Sequence, residues 1–359
     1  MTSLNRNAII LLDGFLNFEY KHKVKIIELY ENVGEIFSNL QPAITYLNSV
    51  DCGLTSNALI TAINNNYVNT LLESYNNSGV SVVTIYDSNY PKRLLDLPFN
   101  PLCIYAKGNL ELLNAKNTLS IVGSRKTLTE YAKMTANFSN TFSKSGVVII
   151  TGVAPGGDTA VINGALESGN VICVLASGFN YLDIEANREL INKVVKKGLL
   201  ISEYPLDVAP RNFRYPVRNR IIAGLGDGVL IVSGTLTSGT RHTASYALDY
   251  GKDVFCFPYS PTYEGGKLCN SLIKDGAVLV TNEEDISQVL RFETKVNNII
   301  DLTEREEQVY NVIKNGVTKV DDICAELDVK IFALMPIISS LEIKGVITKG
   351  TASEYLPIK

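Results

Sequence analysis

The chain has 359 residues, 46% of them hydrophobic and 19% charged, which is the balance of a globular protein with more than one ordinary core. No apolar run approaches the roughly eighteen residues that span a bilayer. The net charge of −4 argues against a uniformly basic nucleic-acid binder.

From the amino terminus, "AIILLDGFLNF" is short, broken by Asp13 and without a small-residue cleavage pattern, so no signal peptide is expected and the address reads as cytoplasmic. Residues 1–80 show short helical stretches with Asn-rich breaks such as "AINNNYVNT", predicting a small helical domain. β-Branched runs begin with "VSVVTIY". After residue 118 the strands "TLSIVG", "VVIITG", "VICVLA", "LLISEY", "GVLIVS", "DVFCFP" and "AVLVT" alternate with helical segments near 129–145, 158–168, 185–197, 217–225, 239–250 and 269–275. Continuous apolar strands between amphipathic helices predict an α/β, Rossmann-like, doubly wound and mostly parallel sheet over 81–290. A linker at 291–300 follows. In 301–359, Thr303 and Glu306 form a capping box, and three helical stretches precede a ribbon in "VITKGTASEYLPI". That order predicts a winged helix.

In such sheets ligands sit beyond the carboxyl ends of the strands. Small and polar residues gather there repeatedly: "GSR" at 123–125, "TGVAPGGD" at 151–158, "SEYP" at 202–205 and "SGTLTSGT" at 233–240. They predict one pocket lined from several loops. Charge is unevenly spread, with four basic and seven acidic residues in 1–80, seven and ten in 301–359, and hence 22 against 20 between. The cations concentrate in "PRNFRYPVRNR", residues 210–220, which carries four arginines and no acid. Local density governs phosphate binding more than the whole-chain sum. The acidic 301–359 segment reads as a protein-contacting or vestigial wing rather than a DNA reader. The six cysteines include no Cys-x-x-Cys pair and read as buried reduced thiols; with only His22 and His242 present, neither a metal nor a cofactor is expected.

The blocks "YPKRLLDLPFNPLCIYAKGNL", "IVGSRK", "TGVAPGGD", "SEYP", "YPVRNRIIAGL", "SGT" with "TA" two residues on, and "CNSLIKDGA" stand in the order found in the DNA-processing protein A (DprA/Smf) family, which the chain resembles over about 90–285. The resemblance implies a Rossmann-like protein without catalytic turnover, flanked by a helical (SAM or helix-hairpin-helix-like) domain and a winged helix. It would bind and protect single-stranded DNA entering during natural transformation, assist loading of the RecA recombinase, and form a homodimer, with no membrane partner. Carried over by position, Gly123, Ser124 and Arg125 match the family's Gly-Ser-Arg, with Lys126 beside them. Arg218, Asn219 and Arg220 match its Arg-Asn-Arg, and Ser238, Gly239 and Thr240 its Ser-Gly-Ser. Arg218 and Arg220 lie on different sides of a helix, so one is expected on phosphate and the other on a carboxylate such as Glu203. Phe213 and Tyr215 flank Arg214 and offer faces for unpaired bases, although Tyr215 reads equally as core beside Pro216.

Some positions depart from the family pattern. Pro155 replaces a cation, Gly157 an apolar side chain, and Ser233 a strand-end acid, while Arg241 and His242 stand where aliphatics are usual. Two other functions compete. A phosphoribohydrolase needs a glutamate where this chain has Thr243, and a hydroxyl cannot do that acid–base work; Glu203 and Asp158 are its remaining strand-end acids. A scaffold without DNA affinity is the third reading. A phosphate-loop ATPase is excluded, because "GKD" and "GKL" lack the hydroxyl that holds magnesium, and "GSRKTL" is no dinucleotide fingerprint.

Overall fold

The computed structural model describes residues 3–16, 18–182, 187–292, 302–350 and 354–357. Contacts divide the chain into residues 1–294 and 295–359.

In the first unit, the apolar run near the amino terminus forms α1 (Ser3–Gly14), with Ala8 to Leu12 fully buried. Asp13, the acid that breaks that run, is itself buried: it pairs with Lys23 at 2.9 Å and accepts the Tyr105 hydroxyl at 2.7 Å. Four more helices follow, α2 (Tyr20–Glu28), α3 (Gln41–Ser49), α4 (Ser56–Asn64) and α5 (Tyr67–Asn77). Next come β1 (Ser81–Thr84), the single turn α6 (Lys92–Leu95) and β2 (Cys103–Gly108). α1 and α5 pack against β1, so the helical segment and the sheet share one core.

The alternating part runs β3 (Thr118–Val122), α7 (Thr129–Lys144), β4 (Val148–Thr151), α8 (Gly157–Ala165), β5 (Val171–Val174), α9 (Arg188–Lys197) and β6 (Leu199–Ser202). It continues with α10 (Arg214–Leu225), β7 (Gly228–Ile231), α11 (Thr240–Asp249), β8 (Asp253–Cys256), α12 (Lys267–Lys274), β9 (Val278–Leu279) and α13 (Glu283–Leu290). Every residue of β3, β4, β5, β6 and β7 is buried, which is why these strands read as mostly apolar runs. The sheet order is β1-β2-β6-β5-β4-β3-β7-β8-β9, parallel from β6 to β9, with β1 and β2 added antiparallel at one edge. The sheet is therefore α/β and mostly parallel, as expected.

Two boundaries differ informatively from the sequence reading. α10 begins at Arg214 rather than 217, because Pro216 falls in the first turn, where its missing N–H has no intrahelical partner to lose. The start of the helix expected at 185–197 lies outside the described residues up to 186; from Arg188 onward it is helical. All six cysteines are free thiols, and five are buried. No helix among the described residues is long and apolar enough to cross a membrane.

In the second unit, α14 (Glu304–Lys314), α15 (Val320–Leu327) and α16 (Ile331–Ile343) precede an antiparallel ribbon of β10 (Ile347–Lys349) and β11 (Tyr355–Pro357). Val309, Ile313, Ile323, Leu334, Ile338 and Leu341 form its core. The Thr303–Glu306 capping box is present, and Ser340 and Lys344 also donate to Glu306, at 2.6 and 2.7 Å. These bonds, that from Lys344 foremost, hold its carboxyl down to about 2. Of the expected linker, only 291 and 292 are among the described residues.

Candidate nucleic-acid interface

The chain enters the parallel sheet at β3, works outward through β4 and β5 to β6, then returns to place β7 on the other side of β3. The loops leaving β3 and β7 consequently diverge, and a cleft opens between them at the strands' carboxyl ends. It measures about 620 Å³. Its walls come from the loops after β3, β4, β7 and β8 and from the amino-terminal turns of α10 and α11.

The loop after β3 is held from two sides. Ser124 receives the Gly157 N–H on its carbonyl at 3.0 Å, and the Gly123 N–H donates to Asp158 at 3.3 Å, so the loop lies on the first turn of α8. The approach is close enough that a Cβ at Gly157 would stand 2.4 Å from the Cα of Gly123. Gly157, an apolar side chain in the family pattern, is thus a backbone contact here. From the β7 side, the Ser233 hydroxyl accepts the Ser124 N–H at 3.0 Å and lies 2.7 Å from the Thr127 hydroxyl. Held in this way, the loop projects Arg125 and Lys126 into solvent at the cleft mouth. Arg125 lies 6.0 Å from the centre of the Tyr215 ring.

α10 separates this cleft from a second hollow. Tyr215, Arg218 and Asn219 face the cleft, whereas Arg214, Val217 and Arg220 face the other side. Arg218 is only 4% exposed; its guanidinium donates to the Val174 carbonyl and, at 3.1 Å, to the Asn219 side chain. Burial pushes the Arg218 guanidinium down and the Asp158 carboxyl up, and each group's opposite charge restrains the other's shift. Arg218 therefore charges the floor of the cleft from beneath. Asn219 donates to the Gly239 carbonyl at 3.2 Å and fixes α10 to the loop before α11. Arg220 forms a tight pair with Glu203 at 2.5 Å, both side chains 11% exposed. Arg214 donates to the Ala209 carbonyl and lies over the rings of Tyr204 and Phe213.

Of the twelve residues singled out in the sequence, ten therefore line one cleft: Gly123 to Lys126, Tyr215, Arg218 and Asn219, and Ser238 to Thr240. Arg214 and Arg220 do not, because Ala209 and Glu203 hold their guanidinium groups on the far face of α10. At the remaining wall, Ser238 and Thr240 hydroxyls sit 2.5 Å apart at the start of α11. Helix amino termini present unpaired N–H groups and favour anions. One turn on, the Thr243 hydroxyl is buried against the cleft with no hydrogen-bond partner among the described residues. The arrangement offers two exposed cations, hydroxyl donors and one ring face, while its two carboxylates each face a cation, Asp158 beside Arg218 and Glu264 paired with Lys267, which suits an anionic chain.

Sequence reasoning underrated three residues here. Ser233 organises the loop after β3, Thr127 closes that network, and Asp158 ties the loops after β3 and β4 together through the Gly123 and Ala154 N–H groups. The available signal was position: Ser233 is the polar residue that ends the apolar run of β7, next to the point where the strand order reverses.

Known proteins share this architecture. DprA of Bacillus subtilis is 34% identical over 224 residues, covering 61% of this chain and 74% of the relative. Protein Smf of Escherichia coli is 37% identical over 205 residues, covering 56% and 54%. The chain thus spans about half the length of that relative. The X-ray structure of DprA from Streptococcus pneumoniae superposes with a TM-score of 0.67 at 27% identity, covering 81% of this chain and 99% of that one. DprA from Helicobacter pylori, described for its single-stranded DNA binding mode, superposes at 0.55 with 26% identity, covering 59% and 95%. Since the family model for DNA recombination-mediator protein A matches residues 81–291, more than half the sequence, this chain belongs to the DNA-processing protein A family.

Proposed function

We propose that the chain binds single-stranded DNA in the cleft between the β3 and β7 loops, without catalytic turnover, and in the cytoplasm protects incoming strands during transformation or recombination. The observation that carries this reading is the convergence of Arg125, Lys126, the Arg218 floor and the α11 amino terminus on one hollow. The single-strand binding described for the Helicobacter pylori relative supports it. Assistance to RecA loading and assembly as a homodimer rest on membership of the family. The 301–359 segment, with seven basic and ten acidic residues, is taken as a winged helix that contacts protein rather than DNA.

Salt dependence tests this reading. Because Arg214 and Arg220 face elsewhere and Arg218 is buried against Asp158, roughly two phosphates at −0.7 each, on Arg125 and Lys126, give a log K against log salt slope of about −1.4. Replacing Arg125 and Lys126 together with alanine brings the slope close to zero and weakens binding to all sequences alike. An unchanged slope in the double variant places the strand elsewhere and overturns the proposal.

A further inference from the structure

On the far face of α10 lies a second cavity of about 760 Å³. Among its walls stand six aromatic rings: Phe18 and Tyr20 from the helical segment, Phe99 before β2, Tyr204 after β6, Tyr246 on α11 and Tyr250 just past its end. The Tyr246 and Tyr250 rings are nearly parallel, 22° apart with centroids at 6.1 Å, and Tyr20 meets Phe99 edge-on at 5.8 Å. Charged groups sit among them: the Glu203–Arg220 and Asp13–Lys23 pairs, Asp249, and the Arg214 guanidinium, over Tyr204 at 5.2 Å. A concave, aromatic-rich lining with convergent polar groups is the usual make-up of a small-ligand site.

Phe99 makes the cavity more than imperfect packing. Its φ is +57°, a conformation that a bulky side chain adopts only at a cost, and its ring is nevertheless 65% exposed. The fold therefore holds an aromatic face at the rim instead of burying it. Val217 on α10 and Leu16 are exposed beside it, at 38% and 55%.

Stacking faces call for a flat aromatic ligand. A carboxylate that can accept an N–H and a guanidinium that can donate to a carbonyl or ring nitrogen call for one with a hydrogen-bonding edge. A nucleobase has both. The amino-terminal turn of α10 forms the ridge between the two hollows, with Tyr215 on the cleft side and Arg214 on the cavity side. A helix is only about 10 Å across with its side chains. We propose that this second cavity receives a nucleobase of the single strand whose phosphates occupy the cleft between the β3 and β7 loops. The inference rests on the single-strand reading above and adds a base subsite to it.

Full-length protein titrated against fluorescent oligothymidine, and against a strand of equal length whose central residues are abasic, tests the proposal. Phe99→Asn removes the ring and places there a residue that tolerates positive φ, so folding is not at risk; Tyr250→Leu is the second variant. Stacking of one base is worth roughly a fivefold change in affinity or more. Each variant should lose at least that on oligothymidine, lose nothing on the abasic strand, and keep the wild-type salt slope. A 2-aminopurine placed in the strand should change its emission on binding wild type and not on binding Phe99→Asn. Equal losses on both strands, or unchanged affinity for oligothymidine, overturn the base subsite alone. If the wild type binds no strand even at low salt, the single-strand reading falls, and the base subsite with it.

Discussion

Replacing Gly157 with alanine tests whether the phosphate-facing loop is set by α8. The added Cβ would stand 2.4 Å from Gly123 Cα and 2.8 Å from its carbonyl carbon, about 1 Å inside ordinary contact. Neither neighbour is a flexible side chain, so the loop itself must move. Its movement strains the Gly157–Ser124 and Gly123–Asp158 hydrogen bonds, which are 3.0 and 3.3 Å long. Overpacking of this kind costs about 1–3 kcal/mol, and better helix propensity returns at most about 1 kcal/mol. A net loss of about 1–2 kcal/mol should lower the melting temperature by roughly 2–8 °C in a unit of this size. Gly239→Ala is the control for stability, because a Cβ there meets nothing within 4 Å. Thermal unfolding and oligothymidine anisotropy on the two variants give the comparison. Gly157→Ala should weaken binding by about tenfold as Arg125 and Lys126 shift, while Gly239→Ala should unfold like the wild type. A Gly157→Ala protein with wild-type stability and affinity would refute the claim that α8 positions the loop.

Ser233→Ala removes the acceptor of the Ser124 N–H and the neighbour of the Thr127 hydroxyl; oligothymidine affinity should fall about fivefold, on the order of 1 kcal/mol, with the salt slope kept. Glu203→Ala leaves Arg220 buried without its carboxylate, so denaturant titration should show a loss of about 3 kcal/mol, while the salt slope stays as in the wild type because Arg220 is not in the cleft. Glu306 has its carboxyl pKa lowered from 4.5 to about 2, so its contribution to the stability of the second unit is complete above 4.5 and lost as pH falls toward 2. Hydrogen-exchange protection of α14, relative to intrinsic exchange at each pH, should fall over that window, and Glu306→Gln should flatten the dependence.

The parallel strands were legible because burial on both faces leaves almost only apolar residues in "VIIT", "VICV" and "GVLI". β2 was not, since "CIYAKG" joins the sheet antiparallel at an edge and has no helix alternating with it. The split of Arg218 and Arg220 between opposite sides followed from helical phase, and Glu203 sits where a carboxylate was expected. Arg214 could not be read in this way. Four residues before Arg218, it would share that side by phase alone; its guanidinium is drawn away by the Ala209 carbonyl and the Tyr204 ring, a loop conformation that no periodicity encodes. Gly157 looked like a lost apolar side chain, and only the 2.4 Å approach to Gly123 gives it a reason.

Hydrogen exchange of the full chain with and without oligothymidine locates the strand directly. Protection of the 123–127 loop and the first turn of α11, with α14 to α16 unaffected, is the result this account predicts. Protection that leaves 123–127 untouched would contradict it.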